Sequence, residues 1–117
     1  MLEENLRNII ANRLGHKEPD GVLSRLRDFC KRHCISEMGL FGSVLRDDFN
    51  SQSDVDIIVT YSEQCTHTLF DVVRMKDELR EIFGREVDLV NRRTVEKSKN
   101  RYRRDAILSD ILVIYAA

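Results

Sequence analysis

Two aspartates one residue apart, Asp54 and Asp56, follow a Gly-Ser pair formed by Gly42 and Ser43. Residues 57–59 read Ile-Ile-Val, a β-branched run that favours a strand. Because alternate strand positions point to the same side, both carboxylates can face one point in space. A small turn beside paired carboxylates is the arrangement that phosphoryl or nucleotidyl transfer requires.

Nucleotidyl transfer attacks the α-phosphorus of a nucleoside triphosphate, and two divalent ions about 4 Å apart can stabilise the attacking and leaving oxygens. Asp54 and Asp56 are predicted ligands of two Mg²⁺ ions, which prefer oxygen donors. Asp88 is the third candidate because it interrupts an apolar strand, where a carboxylate is costly to bury without a compensating cation. Asp88 could also orient or deprotonate the attacking hydroxyl.

The Gly-Ser pair is a candidate phosphate site. Gly42 permits close approach of the backbone, and Ser43 offers a hydroxyl and an amide. If residues 43–48 begin a helix, its N-terminus attracts the anion and Arg46 can reach the β- or γ-phosphate. Gly-Ser and Asp-x-Asp are each common in loops, so the prediction depends on their combination with Asp88.

Composition indicates one globular domain over residues 1–117. The chain is 42% apolar and 33% charged. No apolar run approaches the roughly 20 residues of a membrane span, and no signal-peptide pattern is present, so we expect a cytoplasmic protein without membrane association. The net charge of −1 argues against direct nucleic-acid binding by the chain as a whole.

One stretch, residues 92–104, is strongly basic, with Glu96 as its single acid. Its basic residues are Arg92, Arg93, Lys97, Lys99, Arg101, Arg103 and Arg104. Such a cluster can hold a polyphosphate, RNA or an acidic protein surface, and it can equally be a solvated helix face.

Three cysteines, an odd number, argue against a disulfide framework. Cys30 and Cys34 are predicted on one helix face close to His33, as small buried side chains rather than zinc ligands. Cys65 and His67 are expected to have surface or core positions.

The elements that must position these residues follow from hydrophobic spacing and breakers. Gly15 and Pro19 are expected to end a first helix, and Asp20 to cap a second. The predicted elements are helix 2–14, a helix from residue 20, strand 35–41, strand 54–61, a helix from the Thr68–Asp71 capping box to Gly84, strand 86–90 and helix 94–108. Residues 107–115 fit a helix or a strand equally well. This order predicts a mixed α/β domain.

The motifs Phe41-Gly42-Ser43, Arg46 and residues 53–57 (Ser-Asp-Val-Asp-Ile) resemble those of the polymerase β-type nucleotidyltransferases, above all the minimal nucleotidyltransferase domains of prokaryotes. The resemblance covers nearly the whole chain. It implies an α+β fold with a small mixed sheet and helices mainly on one face, with residues 1–18 as an N-terminal helical segment and 20–117 as the catalytic core.

The resemblance also implies ATP as donor, although family members commonly have a glycine where this chain has Asp47, which is followed by Asp48. These acids either weaken nucleotide binding or point to solvent.

Minimal domains of this kind typically occur beside a helical HEPN protein in toxin–antitoxin modules. There they act as antitoxins, and members with an intact site can transfer AMP to a tyrosine of the toxin. We therefore expect a metal-dependent protein adenylyltransferase with a HEPN toxin as partner. One alternative is an antitoxin that masks its toxin without catalysis. A second is nucleotidyl transfer to a small molecule such as an aminoglycoside, which would require a homodimer or an added domain. A third is nucleotidyl transfer to RNA. Homo-oligomerisation is left open.

Overall fold

A four-stranded sheet of order β3-β2-β1-β4 is the framework of the computed structural model, which describes residues 6–117. The strands are β1 (Ile35–Phe41), β2 (Val55–Tyr61), β3 (Val87–Asn91) and β4 (Ile111–Ala116). Strand β1 is antiparallel to β2 and β4, whereas β2 and β3 are parallel. The sheet is therefore mixed, which confirms the predicted fold class.

The helices are α1 (Pro19–Arg32), α2 (Leu69–Phe83), α3 (Arg92–Glu96) and α4 (Arg101–Leu108). A helical turn at residues 6–8 leads into the π-helix Ile9–Arg13. This agrees with the predicted first helix where it is described, since residues 1–5 lie outside the described chain. Gly15 follows with a left-handed φ of 73°.

The start of α1 differs from the prediction. Pro19 is the first residue of the helix, where its missing N–H is not needed, so it begins α1 instead of only interrupting an earlier helix. Glu18 occupies the N-cap position without a side-chain hydrogen bond. Asp20 lies within the first turn, where it accepts a hydrogen bond from Arg7 at 2.8 Å.

Helix α2 begins and ends as predicted. The Thr68 hydroxyl accepts from the Asp71 amide at 3.2 Å, and the Thr68 amide donates to the Asp71 carboxylate at 2.8 Å. Gly84 ends the helix with a φ of 72°. Leu69, the first residue of α2, is 85% exposed.

Two cores lie on opposite faces of the sheet. The larger one packs the π-helix, α1 and α2 against side chains such as Met38, Leu40, Ile57 and Val59. The smaller one lies under the short helices α3 and α4 and contains Phe41, Ile58, Val95 and Ile107. The longer helices thus cover one face, as expected, while the short ones leave part of the second face open.

The C-terminal part of the chain differs from the predicted helix 94–108 and contains a strand where the sequence left helix or strand open. Residues 94–108 do not form a single helix, because α3 ends at Glu96 and the Asn100 side chain caps a new helix by accepting from the Arg103 amide at 3.1 Å. Residues 111–116 form the strand β4, in which Ile111 pairs with Phe41. No helix within residues 6–117 has the length and apolarity needed to cross a bilayer.

Cys34 and Cys65 form a disulfide with a Cα–Cα distance of 6.2 Å, so the prediction of Cys34 as a small buried side chain on the face of Cys30 is wrong. An odd count leaves one cysteine over but does not prevent one pair. Cys34 lies beyond the end of α1 with a φ of 57°, so it shares no helix face with Cys30. Cys30 is a buried free thiol, and burial raises its pKa to about 12.

Candidate active site

The register of the sheet brings the predicted carboxylates together. The parallel ladder pairs Asp56 with Asp88, and the antiparallel ladder pairs Asp56 with Phe41. Directly paired residues point to the same face of a sheet, so Asp56 and Asp88 are neighbours on the face that α3 and α4 partly cover. Asp54 lies just before the first residue of β2. The carboxylates and the Gly-Ser pair therefore meet at one end of the sheet.

The pKa of Asp56 reflects the charges around it. Burial raises the pKa of Asp56 above its usual value, and the negative charges of Asp88 and Asp54 raise it further. The nearby Arg46 guanidinium opposes this increase. The three predicted ligands and the predicted phosphate-binding arginine thus share one electrostatic environment.

Asp88 differs from the prediction in its burial. We expected a carboxylate buried in an apolar strand, but the Asp88 side chain is exposed. Val87, on the opposite face of β3, is buried in the larger core. Because β3 is an edge strand, its other face at this position is open to solvent. Asp88 is consequently accessible to a substrate from outside the sheet.

Gly42 fits closely against Asp56. It has a left-handed φ of 74°, and a Cβ atom placed there would lie 2.3 Å from the Asp56 carboxylate oxygen Oδ2. Any side chain at this position would displace either the turn or the carboxylate. The backbone freedom predicted for phosphate approach is therefore combined with a second requirement, space for a candidate metal ligand.

The turn after β1 is shorter than the helix considered for residues 43–48. A 3₁₀ turn spans Gly42–Leu45, and the Arg46 amide closes it by donating to Ser43 O at 2.9 Å. Arg46 itself has extended backbone with a φ of −116°. The buried Val44 anchors the turn to the larger core, while Ser43 is half-buried. Phosphate binding by this segment would consequently depend on turn amides and the Ser43 hydroxyl, without an α-helix N-terminus.

Arg13 of the π-helix binds the backbone of this turn, a role that sequence reasoning missed. Its Nη1 donates to the backbone oxygens of Val44 and Arg46, each at 2.7 Å, and its Nη2 donates to the Asp47 carboxylate at 3.3 Å. One planar guanidinium thus fixes both ends of a short segment. No local signal marks Arg13 in the sequence, because its partners lie more than thirty positions away.

The acids at positions 47 and 48 each have a partner. Asp47 pairs with Arg13, and Asp48 accepts from Arg46 Nε at 3.3 Å. Cys34 is the one non-glycine residue with positive φ among residues 6–117, so Asp47 has a backbone that requires no glycine. The aspartate in place of the family's usual glycine therefore completes the Arg13 contact.

The donor set suits a hard divalent cation, since three carboxylates are neighbours and Asp56 is partly desolvated. Within the described residues, however, no group of three or more His, Cys, Asp or Glu side chains is placed so that it could hold a metal ion by itself. Asp56 and Asp88 pair across β2 and β3, and Asp54 precedes the first residue of β2. Magnesium commonly binds through one or two carboxylates with water and substrate phosphates, so this open arrangement fits it.

The basic stretch divides into paired and unpaired residues. Arg92 pairs with Glu37 and Glu96, Arg93 donates to Tyr61 O at 2.8 Å, and Arg104 contacts Asp105. Within residues 92–104, all of which the structure describes, four basic side chains have no such partner: Lys97, Lys99, Arg101 and Arg103. These four side chains remain available for a solvated face or for a binding surface.

The family model of the nucleotidyltransferase domain matches residues 23–114. A Methanocaldococcus jannaschii protein named as a protein adenylyltransferase is 39% identical to this chain over 59 residues. The match covers 50% of this chain and 61% of that protein. The protein adenylyltransferase MntA of Thermococcus cleftensis is 33% identical over 64 residues, which are 55% of this chain and 63% of that protein. This chain thus spans less than two thirds of either relative.

Solved structures agree with the sequence matches. A minimal nucleotidyltransferase structure is 33% identical with a TM-score of 0.57, and the match covers 79% of this chain and 84% of that one. A crystal structure described as a toxin–antitoxin with AMP-PNP has a TM-score of 0.62 at 18% identity, covering 81% of this chain and 73% of that one. At that identity the second likeness concerns the fold alone.

Proposed function

Because the chain belongs to the nucleotidyltransferase domain family, we propose that it transfers AMP from ATP to a tyrosine of a cognate HEPN toxin and so acts as an antitoxin. The observation that carries this proposal is the placement of Asp54, Asp56 and Asp88 beside the Gly42 turn. We further propose that this occurs in the cytoplasm, with residues 20–117 as the catalytic core of a single domain.

Each site residue has a role in this proposal. Asp54, Asp56 and Asp88 would hold Mg²⁺, which when bound supplies positive charge to the phosphate oxygens. Gly42 and the Ser43 hydroxyl would contact the triphosphate, and Arg46 would balance charge on the pyrophosphate as it departs. These Arg46 and Ser43 contacts require the turn geometry that Arg13 fixes.

The proposed reaction is a displacement at the α-phosphorus. The tyrosine oxygen forms a bond to phosphorus, and the bond from phosphorus to the pyrophosphate oxygen breaks. The exposed Asp88 carboxylate accepts the hydroxyl proton or orients the hydroxyl for attack. Pyrophosphate leaves on the side of the Gly42 turn.

The choice of donor and partner is supported by the relatives. Two relatives carry protein adenylyltransferase names, and a structure of the same fold is described as a toxin–antitoxin with AMP-PNP, an analogue of ATP. The HEPN identity of the partner and the tyrosine acceptor come from the family resemblance of the sequence motifs. No feature of the site favours a small-molecule acceptor over a protein.

The test is transfer of label from α-labelled ATP, with Mg²⁺, to the product of the neighbouring gene. We expect label on a tyrosine of that protein, and its loss in Asp54→Asn and Asp56→Asn variants. Asp28→Asn is a matched control, because Asp28 is an exposed carboxylate of α1 that contacts only Arg32 in the described chain.

Other outcomes of the same experiment contradict parts of the proposal. A tight complex without label transfer would overturn the enzymatic role in favour of masking. Label on added RNA or on kanamycin, with none on the partner, would overturn the protein acceptor. Neutralisation of the toxin in cells by the Asp54→Asn variant would show that transfer is not needed for the antitoxin role.

A further inference from the structure

A cavity of about 300 Å³ lies on the same face of the sheet as Asp88, between β3, α3 and α4. Its inner part is apolar and is lined by the buried Val95 and Ile107 and by the partly buried Val90. Its outer part is polar and carries two guanidinium groups, those of Arg103 and Arg104. None of these residues has a role in the site as described above.

The position of the cavity relative to Asp88 follows from strand geometry. Val90 and Asp88 are two positions apart on β3, so their side chains point to the same face, about 7 Å apart along the strand. The cavity therefore begins directly beyond Asp88 in the direction of the end of β3 at Asn91.

The Gly42 turn lies in the opposite direction. Gly42 follows Phe41, which pairs with Asp56 near the start of β2. If a triphosphate is held at the turn with its α-phosphorus near Asp56 and Asp88, its pyrophosphate points away from the cavity. In a displacement at phosphorus the attacking and leaving oxygens lie roughly in line. In that arrangement the attacking oxygen arrives from the cavity side.

Resting on the nucleotidyl transfer proposed above, we propose that this cavity receives the acceptor side chain, a tyrosine ring presented by a protein. The volume is sufficient for one aromatic side chain, since it lies at the lower end of the range for ligand pockets. Val90, Val95 and Ile107 would contact the ring, and a guanidinium of Arg103 or Arg104 can stack on its face. The hydroxyl would then point along β3 toward Asp88.

The charge of the cavity opposes the small-molecule alternative. Aminoglycosides are polycations, and the outer part of the cavity carries the unpaired Arg103 together with Arg104. Lys97 and Lys99 add positive charge nearby in the chain. Like charges raise the free energy of such a complex, whereas an uncharged tyrosine ring meets no such penalty.

The test measures KM for the acceptor protein and KM for ATP separately, by α-label transfer to the neighbouring gene product. Arg103→Ala removes one cavity wall, and Thr94→Trp fills the cavity from an exposed position without removing a core side chain. Each should raise the acceptor KM about tenfold, as expected for the loss of one aromatic contact, with ATP KM changed less than about twofold. Arg101→Ala is the matched control, because Arg101 is exposed on α4 and does not line the cavity.

Two results would overturn the assignment of the cavity, and a third would overturn the proposed function. An unchanged acceptor KM in both variants, with folding verified by circular dichroism, would overturn the assignment. A raised ATP KM with an unchanged acceptor KM would also overturn it, because the cavity would then hold the nucleobase. If the wild-type chain transfers no label, the proposed function fails instead, so the two failures can be distinguished.

Discussion

Gly42 and Asp56 are in close contact in the candidate site. The carboxylate oxygen of Asp56 occupies the space that a Cβ atom at position 42 would need. The backbone of the turn and the Asp56 carboxylate, a candidate metal ligand, therefore fix each other's position. A change at either residue is transmitted to the other without any intervening side chain.

Gly42→Ala should reduce kcat/KM by about 100-fold or more, because a misplacement of roughly 1 Å in a reacting geometry has an effect of this size. It should also destabilise the fold by at least about 1 kcal/mol, since alanine is disfavoured at positive φ. Kinetics and urea unfolding measure the two effects. Gly21→Ala is the control: it lies in α1 with no atom closer than 3.9 Å to the new Cβ, so it should fold at least as stably as the wild type.

Asp56→Asn should increase the stability of the metal-free protein at neutral pH while abolishing transfer. Burial and the charges of Asp88 and Asp54 raise the folded-state pKa of Asp56 above its unfolded value of 3.8. Ionisation therefore lowers wild-type stability as pH rises through this range, and the asparagine variant lacks that loss. Thermal unfolding of both proteins from about pH 3 to about pH 7, a range that includes the carboxyl pKa and extends above it, measures the difference in stability between the variant and the wild type. Equal pH profiles for the two proteins would contradict the prediction.

The disulfide acts at the scale of elements, because it joins the end of α1 to the loop between β2 and α2. That loop is also held by the Ser62 amide, which donates to Cys34 O at 2.8 Å, and by a 2.7 Å hydrogen bond between the His67 ring and His33 O. His67, expected to have only a surface or core position, thus helps to attach the start of α2. Several weak contacts and one covalent bond fix the same loop.

Cys65→Ser should lower the free energy of unfolding by about 3 kcal/mol, as expected for loss of a loop of 31 residues closed by a disulfide. Urea denaturation under oxidising conditions measures this. The Cys34→Ser/Cys65→Ser double variant should have nearly the same free energy of unfolding as Cys65→Ser, because both variants lack the same bond. Wild-type protein in dithiothreitol should also match Cys65→Ser. A double variant that is much less stable than Cys65→Ser would argue against the pair.

Elements set by local pattern could be predicted from the sequence, and features set by distant contacts could not. Strand β1 and the capping box of α2 lie where apolar spacing and turn residues place them. The break between α3 and α4 was missed, because the cap that Asn100 supplies was hidden in a continuous basic pattern. The cysteine pair joins residues 31 positions apart, so only the tertiary fold reveals it.

The same distinction applies to the site. Asp54, Asp56 and Asp88 could be selected by residue type and spacing, because strand alternation is local. The reason given for Asp88 was wrong, since its exposure depends on β3 being the edge strand, which is a property of sheet order. Arg13 was missed because its contacts with the turn arise only when the first helical segment packs against the sheet.

At the scale of the whole molecule, Arg13 connects the first helical segment to the site. We expect Arg13→Ala to raise ATP KM about tenfold, since the turn loses the two carbonyl contacts that hold it. By linkage, ATP should protect the amides of residues 6–13 from hydrogen exchange in the wild type and not in the variant. Arg25→Ala, an exposed change in α1, should leave both measurements unchanged. Protection that persists in Arg13→Ala would contradict the coupling.

The sheet order has a consequence for synthesis of the protein. The strand that leads into the Gly42 turn, β1, has β4 as its second neighbour, and Phe41 pairs there with Ile111. On a ribosome, residues 35–61 emerge well before residues 111–116, so the turn lacks one of its flanking strands until residues 111–116 have been translated. The candidate site is consequently completed only after β3, α3 and α4 have emerged from the ribosome.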